Sequence, residues 1–176
     1  MKILLHTCCA PCLIYPVKIL RQMDMDVMGF FYRYNIHPFQ ECQKRENTLK
    51  QYSQLIDLKV IFQQDYKIEK FLQSIAFREN DRCRYCYYER LKATALVAKK
   101  GKFQAFTTTL LYSKFQNHDL IKSIGQAIAK KYGLTFFYHD FSKGWKFGIE
   151  ESRKLDMYRQ QYCGCIYSEK DRFYKD

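Results

Sequence analysis

Short apolar runs alternate with segments of helical period along the whole chain. The runs at 3–5, 27–34, 58–62, 103–109 and 134–138 read as strands, the first of them fully buried. Between them the pattern predicts a helix from the HTCCAPC loop to about residue 23, then helices over 39–56, 68–75, 85–100 and 117–132. A last helix over 149–158 precedes a C-terminal CGC. In 117–132 the residues Leu120, Ile121, Ile124, Ile128 and Ala129 fall on one helical face, and Gly133 stands where that helix must stop. Strands separated by helices predict an α/β fold, a five-stranded parallel sheet with helices on both faces. No repeat, linker or low-complexity tract interrupts residues 1–176, so a single domain is expected.

The eight cysteines change the picture most. Cys8 and Cys9 fall just after the first strand, where open parallel sheets bind their ligands. Cys83 and Cys86 come as a helix begins, where free N–H groups and the helix dipole favour a thiolate. Cys163 and Cys165 flank Gly164, which frees the backbone to turn round a bulky ligand. Three converging pairs offer six thiolates, more than one tetrahedral zinc takes. Cys12 makes a C-x-x-C with Cys9, and Cys42 lies in a polar helical stretch as a structural residue. Disulfides, structural zinc and unligated core cysteines are the other readings of the same count. The N-terminal apolar run, Ile3 to Leu5, is too short for a signal peptide, and no stretch is long enough to span a membrane. A cytoplasmic, reducing compartment is therefore expected, and there paired cysteines more often serve metal or redox chemistry.

A chain of 176 residues, 47 % hydrophobic, buries enough core to fold without such staples. Lys and Arg number 30 against 18 Asp and Glu, a formal charge of +12, which suits a phosphate backbone. Cations interleave with aromatics in FFYRY, CRYCYYER and MYRQQY, so that rings can stack on unpaired bases while Arg and Lys hold phosphates. There is no G-x-G-x-x-G and no G-x-x-x-x-G-K, which argues against nicotinamide and ATP chemistry. His6 adjoins the cysteine loop as a buried side chain or an active-site group, and His37 sits at the end of strand two as a site-rim or turn residue.

Four motifs in order, HTCCAPC, RCRYCYYERLKATALVAK, FTTTLLYSKFQNHDLIKSIG and MYRQQYCGCIYSE, resemble the cobalamin-independent epoxyqueuosine reductases, the QueH family, over nearly the whole chain. The resemblance implies a nucleotide-hydrolase-like, Rossmann-like fold, a 4Fe-4S cluster with an adjacent mononuclear iron, and reduction of the epoxide of epoxyqueuosine in a tRNA anticodon. An external low-potential electron donor is then required. Lys114 stands where the family has Pro, and Cys12 where it has Cys or Asp. Adjacent residues of an extended segment point to opposite sides, so Cys8 and Cys9 are expected to serve two different metals. On that ground Cys9, Cys83, Cys86 and Cys163 are assigned to the cluster, and Cys8 and Cys165, with Cys12 as a third, to the iron. Asp81, Tyr112 and Tyr162 are candidate proton donors by their nearness to the motifs, and Thr108, Thr109 and Ser113 are candidate contacts to base or sugar. Two rival functions are a PP-loop-type tRNA-thiolating enzyme, for which the ATP loop is missing, and a zinc-stabilised RNA-binding module.

Overall fold

A computed structural model describes residues 1–175. The strands are β1 (Lys2–Thr7), β2 (Asp26–Phe31), β3 (Val60–Phe62), β4 (Ala105–Thr108) and β5 (Thr135–Phe136), all parallel in the order β3-β2-β1-β4-β5. Ile3, Leu4, Leu5, His6 and Thr7 of the central β1 are all buried, and since successive side chains face opposite ways, both faces of the sheet are covered. The covering helices form two groups. α1 (Ala10–Gln22) packs with α2 (Phe39–Leu55) and α6 (Trp145–Lys154), whereas α4 (Arg82–Lys100) packs with α3 (Ile68–Ile75) and α5 (His118–Tyr132). The chain runs outward from β1 to β3 and then returns to place β4 on the other side of β1. This switch in strand order leaves a crevice at the carboxyl ends of β1 and β4.

The element order agrees with the hydrophobic pattern, and the differences have local causes. α6 begins at Trp145, four residues before the expected start, because Gly144 and Gly148 act as close-approach positions and not as breakers. A Cβ at Gly144 would lie 2.1 Å from the Tyr15 ring, and one at Gly148 would lie 2.2 Å from the Tyr112 hydroxyl. A further helix, α7 (Ile166–Phe173), follows the CGC and buries none of its residues, so it lacks the apolar stripe that would have announced it. Among the described residues, no helix is long and apolar enough to cross a membrane.

Candidate metal centre

The chain leaves β1 at Thr7 and enters α1 with Cys9 as the N-cap, φ −172° and ψ 161°. That turn gathers three sulfurs. Cys8 Sγ lies 3.7 Å from Cys9 Sγ, and the sulfurs of Cys8, Cys9 and Cys12 all lie within 4.8 Å of one another, buried. The two sulfurs do not lie on opposite sides as expected: alternation holds for a continuing strand, and here β1 ends at Thr7 and the chain bends at Cys8 before the extended N-cap. The triad shares its charge unequally. Hydrogen bonds from Cys12 and then Cys9, with the Arg90 guanidinium and the Thr109 hydroxyl nearby, hold the Cys8 thiol well below its usual range. Burial raises Cys9, and the hydrogen bonds to Cys8 and Cys9 raise Cys12, so these two keep their protons.

The first turn of α4 and the CGC segment bring a second group together. Cys83 feels the charges of Cys86 and Cys165, and Cys163 feels those of Cys86 and Cys8. The one group of three or more metal-ligating side chains with mutually close donor atoms, among the described residues, is the N-terminal triad. Cys9, expected with the α4 pair, has its sulfur beside Cys8 and Cys12, and the cysteine charges acting on Cys83 are those of Cys86 and Cys165. Burial, then Cys86, pushes the Cys83 thiol up, against the expectation that the helix start lowers it. Cys42 is buried in α2 and pushed up to about 11 by burial, as a structural cysteine should be.

Arg45 and its partner Glu41, which the sequence pattern did not single out, fasten the CGC segment together with His37. Arg45, only 1 % exposed on α2, donates from Nη1 to the Cys163 carbonyl at 2.8 Å and from Nη2 to the Tyr162 carbonyl at 2.9 Å. Its Nε is paired with Glu41 at 2.7 Å, whose other oxygen accepts from Tyr158. His37, placed on the rim by the sequence, is a buried latch: its N–H donates to the Gly164 carbonyl at 2.8 Å, its carbonyl accepts from the Tyr162 hydroxyl, and its Nδ1 accepts from Ile166 N at 3.3 Å. Its Nε2–H donates to the Tyr34 carbonyl at 2.7 Å, so the neutral tautomer satisfies both ring nitrogens. Gly164 does not adopt a left-handed backbone; it is needed for close approach, since a Cβ there would stand 3.0 Å from the Asn35 carbonyl and 3.4 Å from Arg90 Nη2.

The other candidates separate by what their polar atoms already do. Thr108 and Thr109 are fully buried and serve the triad's surroundings: Thr108 Oγ1 bonds His6 Nδ1 at 2.8 Å and caps Leu110 N, while Thr109 Oγ1 accepts from Cys8 N and donates to Cys8 Sγ at 3.4 Å. The expectation that they contact base or sugar is corrected. Ser113 caps Phe115 N in a turn. The Tyr162 hydroxyl is committed to the His37 carbonyl, and burial pushes it up to about 12. Tyr112 donates to the Trp145 carbonyl at 3.0 Å and stacks on that indole, and with Cys12, Arg159 and Gln160 both line a small cleft of about 130 Å³. Asp81 lies elsewhere, on a groove between α3, α4 and α5 with Arg78, Arg84 and Lys131.

A parallel α/β sheet carrying three close, buried thiols at the carboxyl ends of its central strands defines a class of protein that could hold a metal or cluster there. Comparison with known proteins narrows the class. The model of the family described as epoxyqueuosine reductase QueH matches residues 3–171, and the chain belongs to that family, whose members are named as reductases. The epoxyqueuosine reductase QueH of Dehalococcoides mccartyi is 35 % identical over 174 residues, 99 % of this chain and 96 % of that protein. That of Thermotoga maritima is 34 % identical, covering 94 % of this chain and 89 % of that protein. Among solved structures, the predicted subunit of tRNA methyltransferase from Methanocaldococcus jannaschii superposes with a TM-score of 0.60 over 87 % of this chain and 76 % of that one, at 10 % identity, and so shares the fold.

Proposed function

We propose that this chain reduces the epoxide of epoxyqueuosine in the anticodon of tRNA to the alkene of queuosine: two electrons from an external low-potential donor and two protons enter, and the oxygen leaves as water. The observation that carries the reading is the buried triad of Cys8, Cys9 and Cys12, whose sulfurs lie within 4.8 Å of one another beside a second thiol group. The donor set fits two centres. Cys83, Cys86, Cys163 and Cys165 match the four-cysteine ligation of a 4Fe-4S cluster, and three thiols at the triad are one fewer than a closed structural metal site takes. When bound, the cluster supplies single electrons and the mononuclear iron a Lewis acid.

The chain's own residues supply the rest. Cys12 and Cys9, and after them Arg90 and Thr109, favour negative charge at Cys8. Tyr112, Trp145 and Gln160 wall the cleft beside Cys12, a size suited to a small ring. Burial drives the Tyr112 phenol above its ordinary value, so it retains its proton throughout the physiological range next to the triad. Phe115, 84 % exposed against Trp145, offers a free ring for an unpaired base. The direct test is anaerobic: protein reconstituted with iron and sulfide, a low-potential reductant and tRNA bearing epoxyqueuosine should yield queuosine on nucleoside analysis. A colourless zinc protein, or no conversion by protein with an intact cluster, would overturn the reading.

The formal charge of +12 predicts how the tRNA is held. Each neutralised phosphate releases counterions, so log K should fall against log salt with a slope of roughly −0.7 to −0.9 per contact. Several contacts then cost orders of magnitude between about 50 and 200 mM salt. Filter-binding titrations across that range measure the slope, and a flat line would rule out recognition through the backbone.

A further inference from the structure

Arg90 is the second fully buried guanidinium, 1 % exposed, and unlike Arg45 it has no carboxylate. Among the described residues no Asp or Glu oxygen lies within 4.0 Å of it. Its Nε donates to Cys86 Sγ at 3.1 Å, its Nη2 to the Asn35 carbonyl at 3.0 Å, and its Nη1 reaches His6 Nε2 at 3.4 Å. Because Arg can only donate, His6 Nε2 accepts and His6 Nδ1–H donates to Thr108, which fixes the neutral tautomer. A neutral imidazole and a carbonyl do not cancel a charge. A buried cation without a counter-ion is strongly unfavourable, so its partner must be an anion. The groups that act on it are sulfurs: Cys86, Cys8 and Cys163.

We propose that Arg90 is the resident counter-cation of the cysteine centre, bridging the α4 and triad thiols, and that it sets the reduction potential of the cluster held there. The proposal rests on the cluster assigned under the proposed function. A cluster on four thiolates gains negative charge on reduction, so a fixed cation and a hydrogen bond to a ligand sulfur favour the reduced form and raise the potential. The helical spacing is what makes this possible. Cys86 and Arg90 are i and i+4 on α4, one above the other on the same face, and Arg90 therefore follows its sulfur wherever the helix start is placed. Arg90 is a positioning residue, acting on electron transfer through the cluster and not on substrate.

Redox titration of the reconstituted protein, followed by visible absorbance and EPR, tests this. At the potential where the wild-type cluster is half reduced, Arg90→Gln should show a reduced-to-oxidised ratio at least tenfold lower, a shift of 59 mV for a one-electron couple. The shift should persist at high salt, because a buried charge is little screened. Arg90→Lys keeps the charge without the fork and should remain within about threefold of wild type; if Arg90→Gln fails to retain a cluster, this variant decides alone. Arg153→Gln on the exposed face of α6 should leave the ratio unchanged. A ratio for Arg90→Gln within twofold of wild type, or a tenfold fall for Arg90→Lys, would overturn the proposal. Absence of a cluster in the wild-type protein would instead overturn the functional reading on which it stands.

Discussion

Cys8→Ala is expected to abolish epoxide reduction while the protein stays brown, whereas Cys165→Ala is expected to lose the colour and the activity together. The two outcomes follow from the grouping of the sulfurs. Cys8 lies in the triad with Cys9 and Cys12, and it is the member on which negative charge is concentrated, by hydrogen bonds from both partners and from Thr109. Removing it leaves that centre two thiol ligands in place of three, fewer than a metal site needs, but it leaves Cys83, Cys86, Cys163 and Cys165 intact. The proposed cluster takes Cys165 with Cys83, on which its charge acts. A four-cysteine cluster with one ligand missing on a segment that is itself fastened only by hydrogen bonds should be lost on desalting. Iron and sulfide counts, visible spectra and single-turnover assays on both variants separate the cases. If Cys165→Ala kept the cluster while Cys8→Ala lost it, the two centres would have to exchange those residues.

The architecture is legible in the sequence because it depends on order along the chain. Apolar runs at strand spacing put Cys8 at the carboxyl end of the first strand, and the rule for parallel sheets then located the crevice without coordinates. Which sulfur faces which is a different kind of fact. The placing of Cys8 against Cys9 depends on a bend at Cys8, and an alternation rule cannot see that the strand has already ended at Thr7. The surroundings of Cys165 are out of reach for a similar reason, since the CGC segment is positioned by residues far away in sequence: His37, Arg45 and the Asn35 carbonyl. Arg90 was legible in principle, at i+4 from Cys86 on a helix face that also carries the buried Leu91 and Thr94 neighbourhood. A charged residue at a buried helical position is the signal, and composition hid it among 30 cations. Thr108 and Thr109 were read as free for substrate because hydroxyls at a strand end look available until the histidine and thiol that use them are seen beside them.

Arg45→Met should lower stability by about 3–5 kcal/mol, the usual cost of breaking a buried ion pair by removing one partner. Glu41 would be left buried with only the Tyr158 hydroxyl, and the carbonyls of Tyr162 and Cys163 would lose their donors. For a chain of this size each kcal/mol moves Tm by about 2–4 °C, so a fall of roughly 10 °C is expected. The same change should release cluster faster than wild type, because the segment bearing Cys163 and Cys165 loses both Arg45 anchors and keeps the His37 latch and the Gln116 contact to Cys163 Sγ. The double variant Arg45→Met with Glu41→Gln separates pairing from anchoring. Neutralising the orphaned carboxylate should recover part of the stability, with a coupling of at least about 1 kcal/mol in the cycle, but it should not slow cluster loss, since the two carbonyls remain without donors. Denaturant unfolding and the rate of bleaching under a chelator give the two readings independently. Arg45→Met within 1 kcal/mol of wild type, or a double variant that restored cluster retention in full, would show that Arg45 neither anchors the CGC segment nor depends on Glu41 as the distances between them require.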